Sequence, residues 1–429
     1  VILFQKIKKI FKRFGPGVIT GAADDDPAGI ATYSQAGAQF GYQQLWTTIY
    51  LLPLMISVQE ACARIGAVTG KGLAAVIREN YSKTTLYLLV SLVLIANILN
   101  IGADIGAMAA AAKLVIPLPF VVLTLLFTAS ILILEIFTSY HLYSRVLKWL
   151  TLALFSYPLT LIIVKQPWLE LIKSTIIPHF ELNYTFLFII TGVMGTTISP
   201  YLFFWQASQE VEEEKNHHLF NSGQPKIGLG FIKNLRFDNA LGMIFSSFTA
   251  WCIIVVASTV LYKNGLNDIH SAADAAKALE PLVNSFPNSG FWAKSLFAVG
   301  VVGLGFLAIP VLSGSAAYAF TEALSWRQGF NLKLRRAHGF YGVITIATLI
   351  GLLINFIGID PIKALIYTAV INGLVAIPLI FFIQKIAANH KIMGEYSSRS
   401  LSKLTLWLTF LTMTIAGLCL LLSLFGIIG

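Results

Sequence analysis

Three consecutive carboxylates, Asp24-Asp25-Asp26, stand in the middle of an otherwise apolar stretch and are followed at once by Pro27, Ala28 and Gly29. Charge at membrane depth is costly, so acids there point to function. Pro27 cannot donate a backbone hydrogen bond, and Gly21 and Gly29 tolerate unwinding. A helix breaks at such a place, and the backbone carbonyls it frees lie beside carboxylates that can help them surround a cation. A second interruption, Gly195-Thr196-Thr197-Ile198-Ser199-Pro200-Tyr201, places Ser199 before a proline as Asp26 stands before Pro27. Asn97, Asn100 and Asp104 share one helix face. They read either as a polar wall beside a pathway or as interhelical hydrogen bonds, and Asp104 favours the pathway.

Other charged groups invite plainer readings. Glu60 and Arg64 are one turn apart and read as an ion pair bracing a helix end. Glu135 and Glu322 lie near the ends of apolar segments and are expected to be solvated or to snorkel, and Asn372 is an uncharged candidate for a cavity wall. Glu210, Glu212, Glu213 and Glu214 with His217 and His218 read as a solvated acidic face, although Glu213 and His217 have the spacing of a helix-face metal pair. Cys62, Cys252 and Cys419 lie far apart in apolar runs, with neither a metal-site nor a disulfide spacing.

The elements that must position these groups follow from composition. The 429 residues are 56% hydrophobic and 12% charged, about half the charge of an ordinary soluble domain. Eleven apolar segments are predicted: 15–38, 42–63, 84–112, 118–138, 142–164, 185–207, 237–262, 291–325, 338–357, 361–384 and 403–428. With the N-terminus inside, 23 of the 30 Lys and Arg fall on the inner side. That bias predicts a cytoplasmic N-terminus and an external C-terminus, and explains the net charge of +10 without nucleic acid. No cleavable signal peptide is read.

The paired breaks in segments one and six are the mark of an inverted repeat with its site near the midplane. The predicted fold is all-α and membrane-embedded. It comprises a basic flank (1–14), a first five-helix repeat (15–164), an external connection (165–184), a second repeat (185–384), and a loop with an eleventh helix (385–429). Neither of the two largest loops, 208–236 and 263–290, is long enough for a domain of its own.

Gly15-Pro16-Gly17, Asp26-Pro27-Ala28-Gly29, Gln35-Ala36-Gly37 and Phe40-Gly41-Tyr42 resemble the first span of the Nramp metal-ion transporters. Gln59 with Arg64-Ile65-Gly66 and Thr69-Gly70, then Ala103-Asp104-Ile105-Gly106, then Gly195 to Tyr201 are similar to its second, third and sixth spans. The resemblance implies a LeuT-type fold that imports divalent metals, usually manganese or iron, with protons. By position it makes Asp26 the metal-binding carboxylate and Ala23 and Thr196 carbonyl ligands. Asp104 becomes the acid of the proton route.

The departures from the family pattern carry information. The family's Asn ligand is Gly29 here, its Met is Ser199, its His is Tyr201, and a further His is Gln206. Ile101 replaces a third-span Asp, and Gly305-Phe306 stands for a Gly-Gln pair. An oxygen-only site suits hard cations, and small residues leave room for a partly hydrated ion such as magnesium. Tyr is a poor proton carrier near neutrality. The chain is thus similar to the Nramp-related magnesium-transporting branch, where proton coupling is weak or absent.

The expected function is a secondary transporter of divalent cations, not an enzyme, with the metal as substrate and no cofactor. Asp26, Ala23, Gly29, Thr196, Ser199 and Asp25 would form the metal site. Asp104, Tyr201, Asp24 and Asn100 would line the proton or ion pathway. The partners implied are the metal, the bilayer and protons, with no nucleic acid and no obligate protein partner; a bacterial-type plasma membrane is the expected location. The competing readings are an ordinary proton-coupled manganese or iron symporter and a sodium-coupled organic-solute symporter of the same fold. An embedded metalloenzyme would need clustered His and Glu ligands at depth, and no His falls in either break.

Overall fold

The first apolar segment does not make one helix. In the computed structural model, which describes residues 16–138, 154–216, 220–221, 224–225 and 227–427, it forms α1 (Pro16–Asp24) and α2 (Pro27–Phe40). Asp26 lies between them with extended backbone (φ −70°, ψ 173°) and caps α2, accepting from the Gly29 amide, while Pro27 opens the helix. Proline suits that first position because its missing N–H would have had no helical partner.

A short 3-10 turn, Gly41–Gln44, then leads into α3 (Thr47–Thr69). The remaining helices are α4 (Leu73–Asn80), α5 (Lys83–Lys113), α6 (Phe120–Phe137), α7 (Ser156–Ile163) and α8 (Trp168–Ile176). The sixth segment is broken as predicted into α9 (Tyr184–Thr197) and α10 (Pro200–Asn216). After it come α11 (Leu229–Val260), α12 (Ser289–Ala323), α13 (His338–Ile354), α14 (Pro361–Ala388) and α15 (Ser400–Leu424). Among the described residues the only strands are a two-residue antiparallel ladder, Phe220–Asn221 on Gln224–Pro225.

Eight helical stretches among the described residues are long and apolar enough to cross a membrane. The split first segment and the 17-residue α13 add two more of the expected spans. Of the fifth segment only residues 154–164, with α7, are described. Residues 1–14, with the basic flank, and Arg145, Lys148, His217 and His218 lie outside the described residues. The chain is a multi-pass integral membrane protein.

Packing reveals the repeat. Span 1 lies against span 7 (α1 and α2 on α11), and span 6 against span 2 (α10 on α3). Adding five to each number of the first pair gives the second, counting cyclically through ten. Likewise span 3 packs on span 4 and span 8 on span 9, while spans 3 and 8 meet each other along the centre. Matching close approaches accompany the first pair: a Cβ on Gly21 would overlap the Gly242 backbone, and one on Gly66 would overlap the Ala207 carbonyl. Small residues let membrane helices approach this closely, where packing rather than the hydrophobic effect holds them together.

Three expectations about charge need correction. The 208–236 loop is largely helix, because α10 runs on to Asn216 and α11 begins at Leu229. Its acids are therefore not a solvated face: Glu210, Glu212 and Glu214 are buried, since α10 packs on α3 and α12. Nor do Glu135 and Glu322 snorkel. Glu135 accepts from Ser313 Oγ at 2.5 Å, within the bundle. Glu322 accepts from the Ala75 amide (3.2 Å), Ser208 Oγ (3.0 Å) and Gln328 Nε2 (2.9 Å). It thereby caps α4, whose own N-cap residue, Gly72, has no side chain to do so.

Candidate cation site at the paired breaks

Asp26 is 2% exposed, yet both of its carboxylate oxygens are hydrogen-bonded. Oδ1 accepts from the Gly29 amide at 2.7 Å. Oδ2 accepts from Asn100 Nδ2 on span 3 at 3.1 Å and from the Tyr201 hydroxyl on span 6 at 3.3 Å. Hydrogen bonds to an ionised group contribute about 1.5–3 kcal/mol each, the scale needed to hold a buried charge. The N-terminal end of α2 adds a favourable dipole.

The Tyr201 hydroxyl also lies 3.0 Å from the carbonyl of Ala23, its other hydrogen-bond acceptor. A carboxylate oxygen and a freed carbonyl oxygen thus converge on one point, and a phenol hydroxyl sits there. Ala23 is in the last turn of α1, where carbonyls carry the negative end of the helix dipole. Two oxygens of this kind, one from each side of a break, are chemically suited to contribute to the shell of a hard cation.

The sixth-span break faces the first. Tyr33 and Thr197 share a hydrogen bond of 2.9 Å, and a Cβ on Gly29 would lie 3.3 Å from Thr196 Oγ1. Ser199 Oγ donates to the carbonyls of Gly195 (2.9 Å) and Thr196 (2.8 Å). The Thr196 carbonyl therefore comes already engaged by Ser199, whose hydroxyl turns back onto the end of α9. Gly29 sends its amide to Asp26 and has no side chain to offer.

Asp104 is fully buried beside the same amide: Asn100 Nδ2 lies 3.5 Å from its Oδ2, and its Oδ1 accepts no hydrogen bond. Asn97 instead donates to the Leu312 carbonyl at 3.0 Å, an interhelical tie. Asn372 on span 10 donates to Asn100 Oδ1 at 3.4 Å.

Asp24 and Asp25 turn elsewhere. Both accept from one hydroxyl, Ser246 Oγ on span 7, at 2.6 and 3.1 Å, and each has one oxygen that accepts nothing. Ser246 carries no signal in the sequence, being one of several hydroxyl residues, with Ser247, Thr249 and Ser258, in an apolar helix. Gln206 accepts from Thr20 and donates to Glu210 at 2.8 Å, so it ties α1 to α10. The Glu60–Arg64 pair forms as read, with Nε at 2.9 Å from Oε1.

No three His, Cys, Asp or Glu side chains among the described residues converge as a metal cage. The arrangement is instead one carboxylate with carbonyls and hydroxyls, all oxygen. It is also sealed. Asp26 and Asp104 have next to no exposed surface, and on one side the 266–271 loop is latched to α2 by Gln35, which binds Asp268 Oδ1 and the Ile269 amide, each at 3.0 Å. A groove of about 440 Å³ between α3, α8 and α11 is elsewhere, lined by Ile49, Ile172, Ile244, Phe248 and Trp251, and opens on the outer surface of the bundle.

Comparison with known proteins joins these features. The model of one family, described as natural resistance-associated macrophage protein-like (Nramp), matches residues 17–423. The chain belongs to the Nramp family. Nramp proteins are transporters rather than enzymes, with metal ions as substrates and no cofactor. Two similar relatives are both called divalent metal cation transporter MntH, from Klebsiella pneumoniae. One, from strain 342, is 26% identical, covering 92% of this chain and 89% of the relative. The other is 27% identical over 89% and 86%.

Among solved structures, a mutant of the Eremococcus coleocola manganese transporter is 17% identical with a TM-score of 0.75, over 96% of this chain and 87% of that one. Mhp1, a nucleobase-cation-symport-1 family transporter, gives 15% and 0.56, over 96% and 91%. These likenesses establish the LeuT-type fold of this Nramp chain.

Proposed function

We propose that this protein is a secondary transporter that moves divalent cations of the magnesium and manganese class by alternating access, with no obligatory proton coupling. The observation that carries the reading is the convergence of Asp26 Oδ2 and the Ala23 carbonyl on the Tyr201 hydroxyl. In the loaded state the cation takes up the space between those oxygens. The hydroxyl then turns its lone pairs inward or moves aside. Ser199 contributes oxygen directly or through water, and Asp25 adds negative potential from behind the break. The two MntH relatives bear divalent-metal names, which supports the ion class.

The oxygen-only donor set favours a hard ion, because no thioether or imidazole is present to reward a softer one. Gly29 and Ser199 keep the surroundings small, and magnesium dehydrates reluctantly. The basic-rich side is proposed to be cytoplasmic and the C-terminus external, in a bacterial-type plasma membrane.

The test is uptake into proteoliposomes with magnesium, manganese and calcium in competition while internal pH is recorded. Magnesium and manganese are expected to compete, without metal-driven acidification. Acidification that disappears in Asp104→Asn would overturn the uncoupled reading in favour of proton symport, the alternative that the buried, half-satisfied Asp104 carboxylate keeps open.

Selectivity offers a second check. The atoms nearest a Cβ at Gly29 would be Thr196 Oγ1 (3.3 Å), Tyr33 Cε2 (3.4 Å) and the Asp24 carbonyl (3.5 Å), so the Cβ is accommodated by small shifts of its neighbours. Gly29→Asn combined with Ser199→Met replaces room for water by an amide and a thioether. The magnesium-to-manganese ratio of kcat/KM is expected to fall, on the order of tenfold, because a thioether rewards the softer ion. An unchanged ratio would remove residues 29 and 199 from the selectivity argument.

A further inference from the structure

The Asn100 amide has two ends, and their surroundings dictate which way it faces. Its nitrogen lies 3.1 Å from Asp26 Oδ2 and 3.5 Å from Asp104 Oδ2, both acceptors. Its oxygen must therefore point away from both carboxylates, into a fully buried space where only a donor will satisfy it. Asn372 supplies that donor from span 10 at 3.4 Å and is itself 2% exposed. Without it, the Asn100 oxygen is left buried with no donor, a cost the amide escapes only by tilting away from its present position. Any such tilt lengthens the hydrogen bond that Asn100 Nδ2 donates to Asp26 Oδ2 and loosens the carboxylate.

We infer that Asn372 is a positioning residue for the cation site: it fixes the orientation of Asn100, and through Asn100 the carboxylate of Asp26. This rests on the reading of Asp26 as the cation ligand. Span 10 is well placed for the role, because α14 packs on α5, which carries Asn100, and on α9, which carries Thr196. One helix thus braces both sides of the site. The bland alternative is that Asn372 is interhelical glue, which would act on folding rather than on the ion.

The two are separated by KM and Vmax for manganese and magnesium uptake in proteoliposomes, for Asn372→Leu, Asn100→Leu and the double variant, with Asp26→Asn alongside. Asn372→Leu is expected to raise KM about tenfold for both ions with Vmax within about twofold. The double variant is expected to match Asn100→Leu within about twofold, because Asn372 has nothing left to orient. An unchanged KM, a loss confined to Vmax, or effects that multiply in the double variant would each overturn the inference. If Asn372→Leu does not fold, Asn372→Ala, which introduces no bulk, is read by the same criteria. Wild-type uptake by Asp26→Asn would show instead that the site itself is misplaced.

Discussion

Asp26→Asn is expected to abolish divalent-cation uptake, lowering kcat/KM by about a thousandfold or more. The exchange keeps the shape of the side chain and can still cap α2, so the first-span break survives. What it removes is the one carboxylate charge at the point where the Ala23 carbonyl and Tyr201 hydroxyl meet. Even at an effective dielectric constant of 20, two unit charges 4 Å apart attract by about 4 kcal/mol, close to three powers of ten in affinity. Asp26→Ala should be at least as severe, since it also loses the cap and leaves Asn100 Nδ2 with one carboxylate fewer. Uptake is read in proteoliposomes, and protein recovered as a monodisperse peak separates loss of transport from loss of fold. Transport of every divalent ion at the wild-type rate by Asp26→Asn would sink the site assignment.

The second large effect is on stability. Arg64 on α3 is 1% exposed and satisfied on every side. Nε and Nη2 hold Glu60 at 2.9 and 3.1 Å, while Nη1 and Nη2 donate to the Tyr396 carbonyl (2.5 Å) and Ser398 Oγ (3.0 Å). It thereby fastens span 2 to the connection before span 11. Arg64→Met keeps much of the volume but strands these partners, and breaking a buried pair costs about 3–5 kcal/mol. The low end is expected here, because Arg236 still reaches Glu60 Oε1 at 2.8 Å. Arg236 is 51% exposed, so Arg236→Met should cost under about 1 kcal/mol. Denaturant or thermal unfolding in detergent would rank the two variants, and equal losses would refute this account of the Arg64 end of span 2.

Both expectations start from charges that the sequence displays openly, but they differ in how far it could carry them. Glu60 and Arg64 are one helical turn apart, so their pairing follows from periodicity alone. Their grip on residues 396 and 398 does not, because more than 330 positions of chain intervene. Glu135 and Glu322 show the opposite outcome. A position near the end of an apolar segment suggests water, yet Ser313, Ser208 and the α4 amides come from other helices to meet them. The acids after span six differ from their sequence expectation for a related reason: the helix continues past the apolar stretch, and its neighbours bury what composition suggests is solvated.

At Asp26-Pro27 the division is clearest. Local chemistry by itself determined that the first span breaks there, because proline cannot continue the hydrogen-bond ladder and the preceding carboxylate caps the new helix. It determined equally that a second break, before Pro200, answers the first. Only the tertiary structure decided where each acid turns: Asp26 toward Asn100 and Tyr201, Asp24 and Asp25 toward Ser246. Three adjacent carboxylates are chemically alike, and the choice among them is made by donors on spans 3, 6 and 7. Those donors lie 74 to 222 residues away in sequence, a separation that hydrophobic periodicity and turn chemistry do not bridge.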